Sequence, residues 1–352
     1  MSGVRGGQAL ALTVVVTLLL GACDSASAPP PRRAKPIRAT RQAKMPRPAP
    51  PAPPAPPAPP APPAPPYAVG LRTITFVDTR RTVQPPGESP RPRTLVTLVR
   101  YPAGGGASAG DHPGAPPIHR RGGFPLIVFG HGFAVTPLIY APLLRAWARA
   151  GYVVAAPFFP LENAAAPGGP DESDLVNQPR DVSFLITRLL ELSNASRGFL
   201  SNLIAPRAIA AAGQSDGGET ALALGYDRYF RDHRVAATMI LSGAQIPQVG
   251  VLEQGSRRPT PPLLATQGTA DQINPPALTQ AFFTAVSPPK YLLSVFGASH
   301  LGPYTVRQPG LRIVERVTVD FLDRYLKGAA SAQRRMLHDG DQAGGAALTA
   351  VP

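Results

Sequence analysis

The sequence predicts an α/β chain with a mainly parallel sheet covered by helices on both faces, and three observations lead there. First, eight apolar runs of strand length follow residue 67, at 71–77, 95–101, 125–130, 152–157, 208–213, 235–241, 263–267 and 291–296. Second, after two early runs, helical patterns at 138–150, 175–192, 215–225, 276–286 and 308–327 alternate with the strands, as crossover connections between parallel strands require. Third, runs such as Leu126-Ile127-Val128-Phe129 and Met239-Ile240-Leu241 are apolar at every residue, which suits strands buried on both faces.

Before this globular part comes an address. One positive charge, Arg5, precedes an apolar run over 9–22, which is shorter than the roughly 20 residues a membrane span needs. It has the length of the apolar region of a secretory signal, so export is expected. Leu20-Gly21-Ala22-Cys23 resembles the lipobox of bacterial lipoproteins, which implies cleavage before Cys23 and acylation of its sulfur. Cys23 is the only cysteine, so no disulfide framework is available, and a single thiol directly behind the apolar run fits a lipid anchor. The chain is therefore expected to divide into a signal peptide (1–22), a lipidated basic and Ala/Pro-rich disordered stalk (23–66), a catalytic domain (67–328) and a frayed tail (329–352). The protein would sit on the bacterial cell membrane, facing the periplasm or the exterior.

Eighteen of the 46 prolines fall between 29 and 66, which keeps that segment out of any packed core. As polyproline II at about 3.1 Å per residue, the repeat over 46–66 would reach roughly 65 Å. The formal net charge of +14 invites a nucleic-acid reading, but half of it lies ahead of residue 67, on Arg5 and on Arg32, Arg33, Lys35, Arg38, Arg41, Lys44 and Arg47 against Asp24 alone. The remainder is mildly basic and holds no module for reading bases, so no nucleic-acid partner is expected. The basic segment beside the anchor suits anionic headgroups.

Gly213-Gln214-Ser215-Asp216-Gly217 fits G-x-S-x-G, entered by the strand at 208–213 and left by a helical run. The turn is so tight that little or no side chain fits two residues to either side of the nucleophile, which explains Gly213 and Gly217, and it holds Ser215 Oγ at a helix N-terminus, where developing negative charge is favoured. A serine needs a base. Of six histidines, His300 in Gly297-Ala298-Ser299-His300 directly follows the last strand and would be presented at the sheet's C-terminal edge. His131 lies in Gly130-His131-Gly132-Phe133, where its ring is expected to buttress the loop. Asp271 follows the strand at 263–267 and could orient the imidazole, or serve as a turn-forming residue. Glu253, placed before that strand, is the weaker candidate acid. Backbone N–H groups of Asp216 and Phe133 are the expected oxyanion donors.

Together, His131-Gly132-Phe133, Gly213-Gln214-Ser215-Asp216-Gly217-Gly218, Gly268-Thr269-Ala270-Asp271 and Gly297-Ala298-Ser299-His300 resemble the α/β-hydrolase superfamily. The layout is similar to cutinase-like polyester hydrolases, dienelactone hydrolases and platelet-activating-factor acetylhydrolases. The resemblance covers about 67–328. It implies the α/β-hydrolase fold, with a mainly parallel eight-stranded sheet, and a carboxylic-ester hydrolase in which Ser215, His300 and Asp271 work through an acyl-enzyme. Many relatives carry His or Trp before the nucleophile and an apolar residue after it, whereas this chain has Gln214 and Asp216.

About 20 residues (242–261), rich in Gly and Pro, separate the sixth and seventh strands, so no large cap domain is expected. The cleft would be open, with Phe133, Phe158 and Phe159 as candidate apolar walls. No cofactor is required, and no cluster with metal-ligand spacing is present in the sequence. A monomer acting on an ester is expected. Two other readings stay open: acyl transfer to a cell-envelope acceptor, and a non-catalytic envelope-binding lipoprotein that retains the fold.

Overall fold

The computed structural model describes residues 65–106, 109–252 and 259–352. Cys23, the basic segment, almost all of the Ala/Pro repeat and Glu253 lie outside the described residues. The apolar runs become one mixed sheet. Six strands run parallel, β4 (Phe124–Gly130), β5 (Val153–Pro157), β6 (Ile204–Gln214), β7 (Val235–Leu241), β8 (Leu263–Gly268) and β9 (Lys290–Val295), in the spatial order β9-β8-β7-β6-β4-β5. The two early runs form an antiparallel pair, β1 (Ala68–Val83) and β2 (Arg91–Ala103), and β2 joins the parallel block by pairing antiparallel with β5.

Because successive residues of a strand face opposite sides, the fully apolar strands feed two cores. Ile127 and Phe129 of β4 pack on one face with Trp147 of α1 (Ala141–Arg149) and with Val317 and Phe321 of α6 (Gly310–Leu326). Leu126 and Val128 pack on the other with Leu185 and Leu189 of α2 (Gln178–Asn194) and with Ala221 and Leu224 of α3 (Asp216–Tyr226). α4 (Pro276–Ala285) adds Phe282 and Phe283 over β7 and β8. Burial on both faces explains why these strands carry no polar alternation.

Three differences from the sequence expectation have clear causes. The pattern over 175–192 splits into a 3-10 turn (Glu172–Asn177) and α2, whose Pro179 sits in the first turn, where its missing N–H has no intrahelical partner to lose. The turn and helix are tied to β2 by Arg93, fully buried, which donates in pairs to Asp174 (2.8 and 2.7 Å) and Asp181 (both 2.7 Å). Among the described residues the sheet has ten strands rather than eight. One extra strand is β3 (Asp111–Pro113), parallel to β1. The other comes from the tail, which does not fray: after the one-turn α5 (Gly302–Thr305) and α6, the chain forms α7 (Ala330–Gly340) and β10 (Ala346–Val351), which pairs antiparallel with β9. Ala332 and Met336, four residues apart on one helix face, are fully buried, so this Ala- and Gly-rich composition hides a short amphipathic helix.

Between β7 and β8 the described residues form no helix. Among the described residues, no helix is long and apolar enough to cross a membrane.

Candidate active site

Strands β4, β6, β8 and β9 end at the same edge of the sheet, and each delivers one of the segments singled out above. After Gln214, the last residue of β6, Ser215 adopts φ +54° and ψ −123° before α3 begins. That backbone is costly for a residue with a side chain, by about 1–3 kcal/mol, and persists only where the surroundings fix it. Here Ser215 N–H donates to Leu241 O (2.9 Å), and Ser215 O accepts from Glu219 N–H (3.0 Å). Two glycines make the turn sterically possible: a Cβ on Gly213 would stand 1.9 Å from Gly217 O, and one on Gly217 would stand 2.1 Å from Gly130 O. The second contact seats the first turn of α3 against the loop after β4, which brings the Asp216 and Phe133 segments together.

Asp271 divides its work between its two oxygens. Oδ1 accepts from the N–H groups of Ile273 (3.0 Å) and Asn274 (2.9 Å), which is the turn-forming role. Oδ2 accepts from His300 Nδ1 (2.8 Å) and Gln267 Nε2 (3.1 Å). With Nδ1–H committed to the carboxylate, the neutral His300 ring leaves Nε2 as its basic atom. The Ser215 hydroxyl donates to Asp216 Oδ1 (3.4 Å); among the described residues no hydrogen bond joins it to His300.

Gln214 stands out in the sequence only as a departure from the family pattern, and Tyr140 not at all. Gln214 Nε2 donates to His300 O (3.1 Å), and Gln214 Oε1 accepts from Tyr140 OH (2.6 Å), which in turn accepts from Gly132 N–H (3.4 Å). One chain of hydrogen bonds thus links the histidine loop, the residue before the nucleophile and the loop after β4. The departure from His or Trp at 214 therefore supplies an amide able to donate and accept at once.

His131 is fully buried. Its Nδ1 donates to Gly132 O (2.8 Å), and its Nε2 accepts from Phe159 N–H (3.1 Å), a pairing that only the neutral ring with a proton on Nδ1 can make. Burial pushes its pKa down to about 4. Phe159 is thereby removed from the expected cleft wall: it is fully buried, with its ring 5.0 Å from the His131 ring. Its place directly after β5 turns it under the loop instead of outward. Phe158 is half-buried, and Phe133 is 39% exposed.

Next to Ser215 lies a group of acids that the sequence revealed only through Asp216. Glu162 is fully buried, and neither of its oxygens has a donor within reach. The group it meets is the Asp216 carboxyl, so a hydrogen bond between them needs a proton held in common. Burial, with the charge of Asp216 added, pushes the Glu162 carboxyl up to about 11. Burial also raises Asp216, against the lowering effect of its bonds to Glu162, Ser215 and its own backbone N–H and of the nearby His300. Glu219, one turn along α3, is pushed up to about 8 by burial and then by Asp216 and Glu172. Among the described residues, no cluster of His, Cys, Asp and Glu is arranged to hold a metal ion.

The family model that matches the chain is described as chlorophyllase and covers residues 115–267, which include the loop after β4 and the nucleophile turn and stop short of Asp271 and His300. Among solved structures, the chain is similar to a ferulic acid esterase from Streptomyces cinnamoneus, with 20% identity and a TM-score of 0.56 over 74% of this chain and 91% of that one. No curated protein sequence matches. The fold is that of an α/β-hydrolase.

Proposed function

We propose that the protein is an exported serine carboxylic-ester hydrolase held to a membrane by a lipidated Cys23. Ser215 attacks the ester carbonyl, His300 Nε2 takes the hydroxyl proton and returns it to the leaving alcohol, and water resolves the acyl-enzyme by the same route reversed. Asp271 keeps the imidazole in the tautomer that leaves Nε2 basic and stabilises the imidazolium. The amides of Asp216 and Phe133 receive the oxyanion. Rotation of the Ser215 hydroxyl away from Asp216 toward the imidazole precedes attack.

The observation that carries this reading is the 2.8 Å bond between His300 Nδ1 and Asp271 Oδ2 at the sheet edge where Ser215 stands on a left-handed turn. A protein that only binds needs neither an oriented imidazole nor a strained serine. The test is hydrolysis of p-nitrophenyl butyrate and labelling by a fluorophosphonate, both expected to vanish in Ser215→Ala; full activity in that variant would overturn the assignment. Lipidation is checked by incorporation of labelled palmitate, expected to be lost in Cys23→Ser.

A further inference from the structure

Elsewhere the protein sets a buried cation between buried acids. Asp174 and Asp181 each receive two charge-assisted bonds from Arg93. At Ser215 the practice stops. Glu162, Asp216 and Glu219 are all buried, and among the described residues no cation forms an ion pair with any of them. Glu162 points at Asp216 with both oxygens lacking a donor, and Asp216 Oδ2 lacks one too. Burying carboxyls without donors is expensive, by several kcal/mol for each ionised group. Such an arrangement beside a nucleophile marks a site adapted to a ligand.

The position of Asp216 indicates which ligand. Its carboxyl accepts from the Ser215 hydroxyl (3.4 Å), and its own backbone N–H is the donor expected to receive an oxyanion. The carboxyl therefore stands beside the place where the carbonyl oxygen of a substrate has to go. With a neutral ester, the carboxylate would face the oxyanion as a like charge. With an ester carrying a cation close to its carbonyl, the carboxylate gains a partner, and the negative charge of the intermediate is offset.

We propose that the preferred substrates are esters whose acyl group carries an ammonium one or two carbons from the carbonyl, with Asp216 as the group that recognises it. The reach fits. A carbonyl carbon poised for attack lies about 3–3.5 Å from Oγ, the Asp216 oxygen is 3.4 Å from the same Oγ, and an ammonium bonds a carboxylate at about 2.8 Å. An ammonium one or two carbons from the carbonyl can span these lengths. This proposal rests on the hydrolase reading above and specifies its substrate.

The experiment compares the benzyl esters of β-alanine and butyric acid, which are near-isosteric and differ by one positive charge, on the full chain at pH 7. A charge-assisted bond is worth about 1.5–3 kcal/mol, so kcat/KM should favour the β-alanine ester by ten- to hundred-fold, and Asp216→Asn should bring the ratio to near one. Equal or faster Ser215-dependent turnover of the butyrate ester by the wild type would overturn the substrate proposal and leave the hydrolase reading standing. An unchanged ratio in Asp216→Asn would overturn it equally, and the wild-type ratio decides alone should that variant not fold. If neither ester turns over, the substrate proposal fails, and fluorophosphonate labelling of Ser215 reports separately on the hydrolase reading.

Discussion

Acidification should weaken this protein through His131, and the size of the effect follows from the two bonds of its ring. Nε2 must remain a bare acceptor for Phe159 N–H while Nδ1–H serves Gly132 O, so a second proton breaks the first bond and places a charge in a fully buried site. The folded protein therefore resists protonation down to about pH 4, whereas the unfolded chain takes the proton near 6.5. A depressed folded-state pKa contributes stability that is complete above the unfolded value and is lost as pH falls through the interval. The linkage amounts to about 2 kcal/mol between pH 7 and pH 5, and to about 3 kcal/mol by pH 4. The comparison is with His131→Gln, whose side-chain oxygen can accept from Phe159 but which does not titrate. Urea midpoints of both proteins are measured at pH 7, 6 and 5. The variant should be weaker at pH 7 by roughly 1–3 kcal/mol, yet the wild type should lose about 2 kcal/mol more than the variant over the series. Other groups titrate in both proteins and cancel in the difference. Parallel lines for the two proteins would show that the ring is not the neutral tautomer inferred from its partners.

Further outcomes follow from neighbouring groups. Asp271→Asn should keep the fold and lower kcat by about 10³–10⁴-fold, because an amide no longer fixes the tautomer of His300; the readout is steady-state hydrolysis together with an unchanged circular dichroism spectrum. Arg93→Met should cost about 3–5 kcal/mol by leaving Asp174 without a cation and Asp181 with Arg81 alone in the interior, measured as a shift in urea midpoint. Glu219 is held protonated up to about pH 8, so its raised pKa gives stability that is complete below the unfolded value of 4.5 and declines as pH rises toward 8. Glu219→Gln should accordingly gain on the wild type by on the order of 4 kcal/mol between pH 5 and pH 9 in thermal melts.

What the sequence disclosed was local. The turn at Ser215 is written in five consecutive residues, and the strand at 235–241 was bounded correctly because both of its faces are buried, so no alternation had to be interpreted. Asp271 posed a choice between turn former and partner to His300 that had no single answer, since a carboxylate has two oxygens and each takes one task. What stayed hidden was long-range. Tyr140 meets Gln214 across 74 residues of chain, and nothing near Tyr140 in sequence announces it. The sole signal was Gln214 itself, a polar residue at the buried end of an apolar strand. Glu162 sits in an ordinary-looking Leu-Glu-Asn stretch, where a charged residue is expected to face water. The error at Phe159 has the same origin: an aromatic after a strand end can face the cleft or support the floor beneath it, and only its distance to His131 decides.

The C-terminal strand has a practical meaning for anyone shortening the chain. β10 covers the backbone of β9, which would otherwise end the sheet as a bare row of amides and carbonyls. A protein cut after residue 328 would keep every group assigned to chemistry and lose this cover, together with Ala332, Met336 and Ala346 from the interior. Such an uncovered margin is a template onto which a second molecule can add a strand. Trimmed versions should therefore clump while remaining competent, and a purification tag is better placed beyond Pro352 than in exchange for the final two dozen residues.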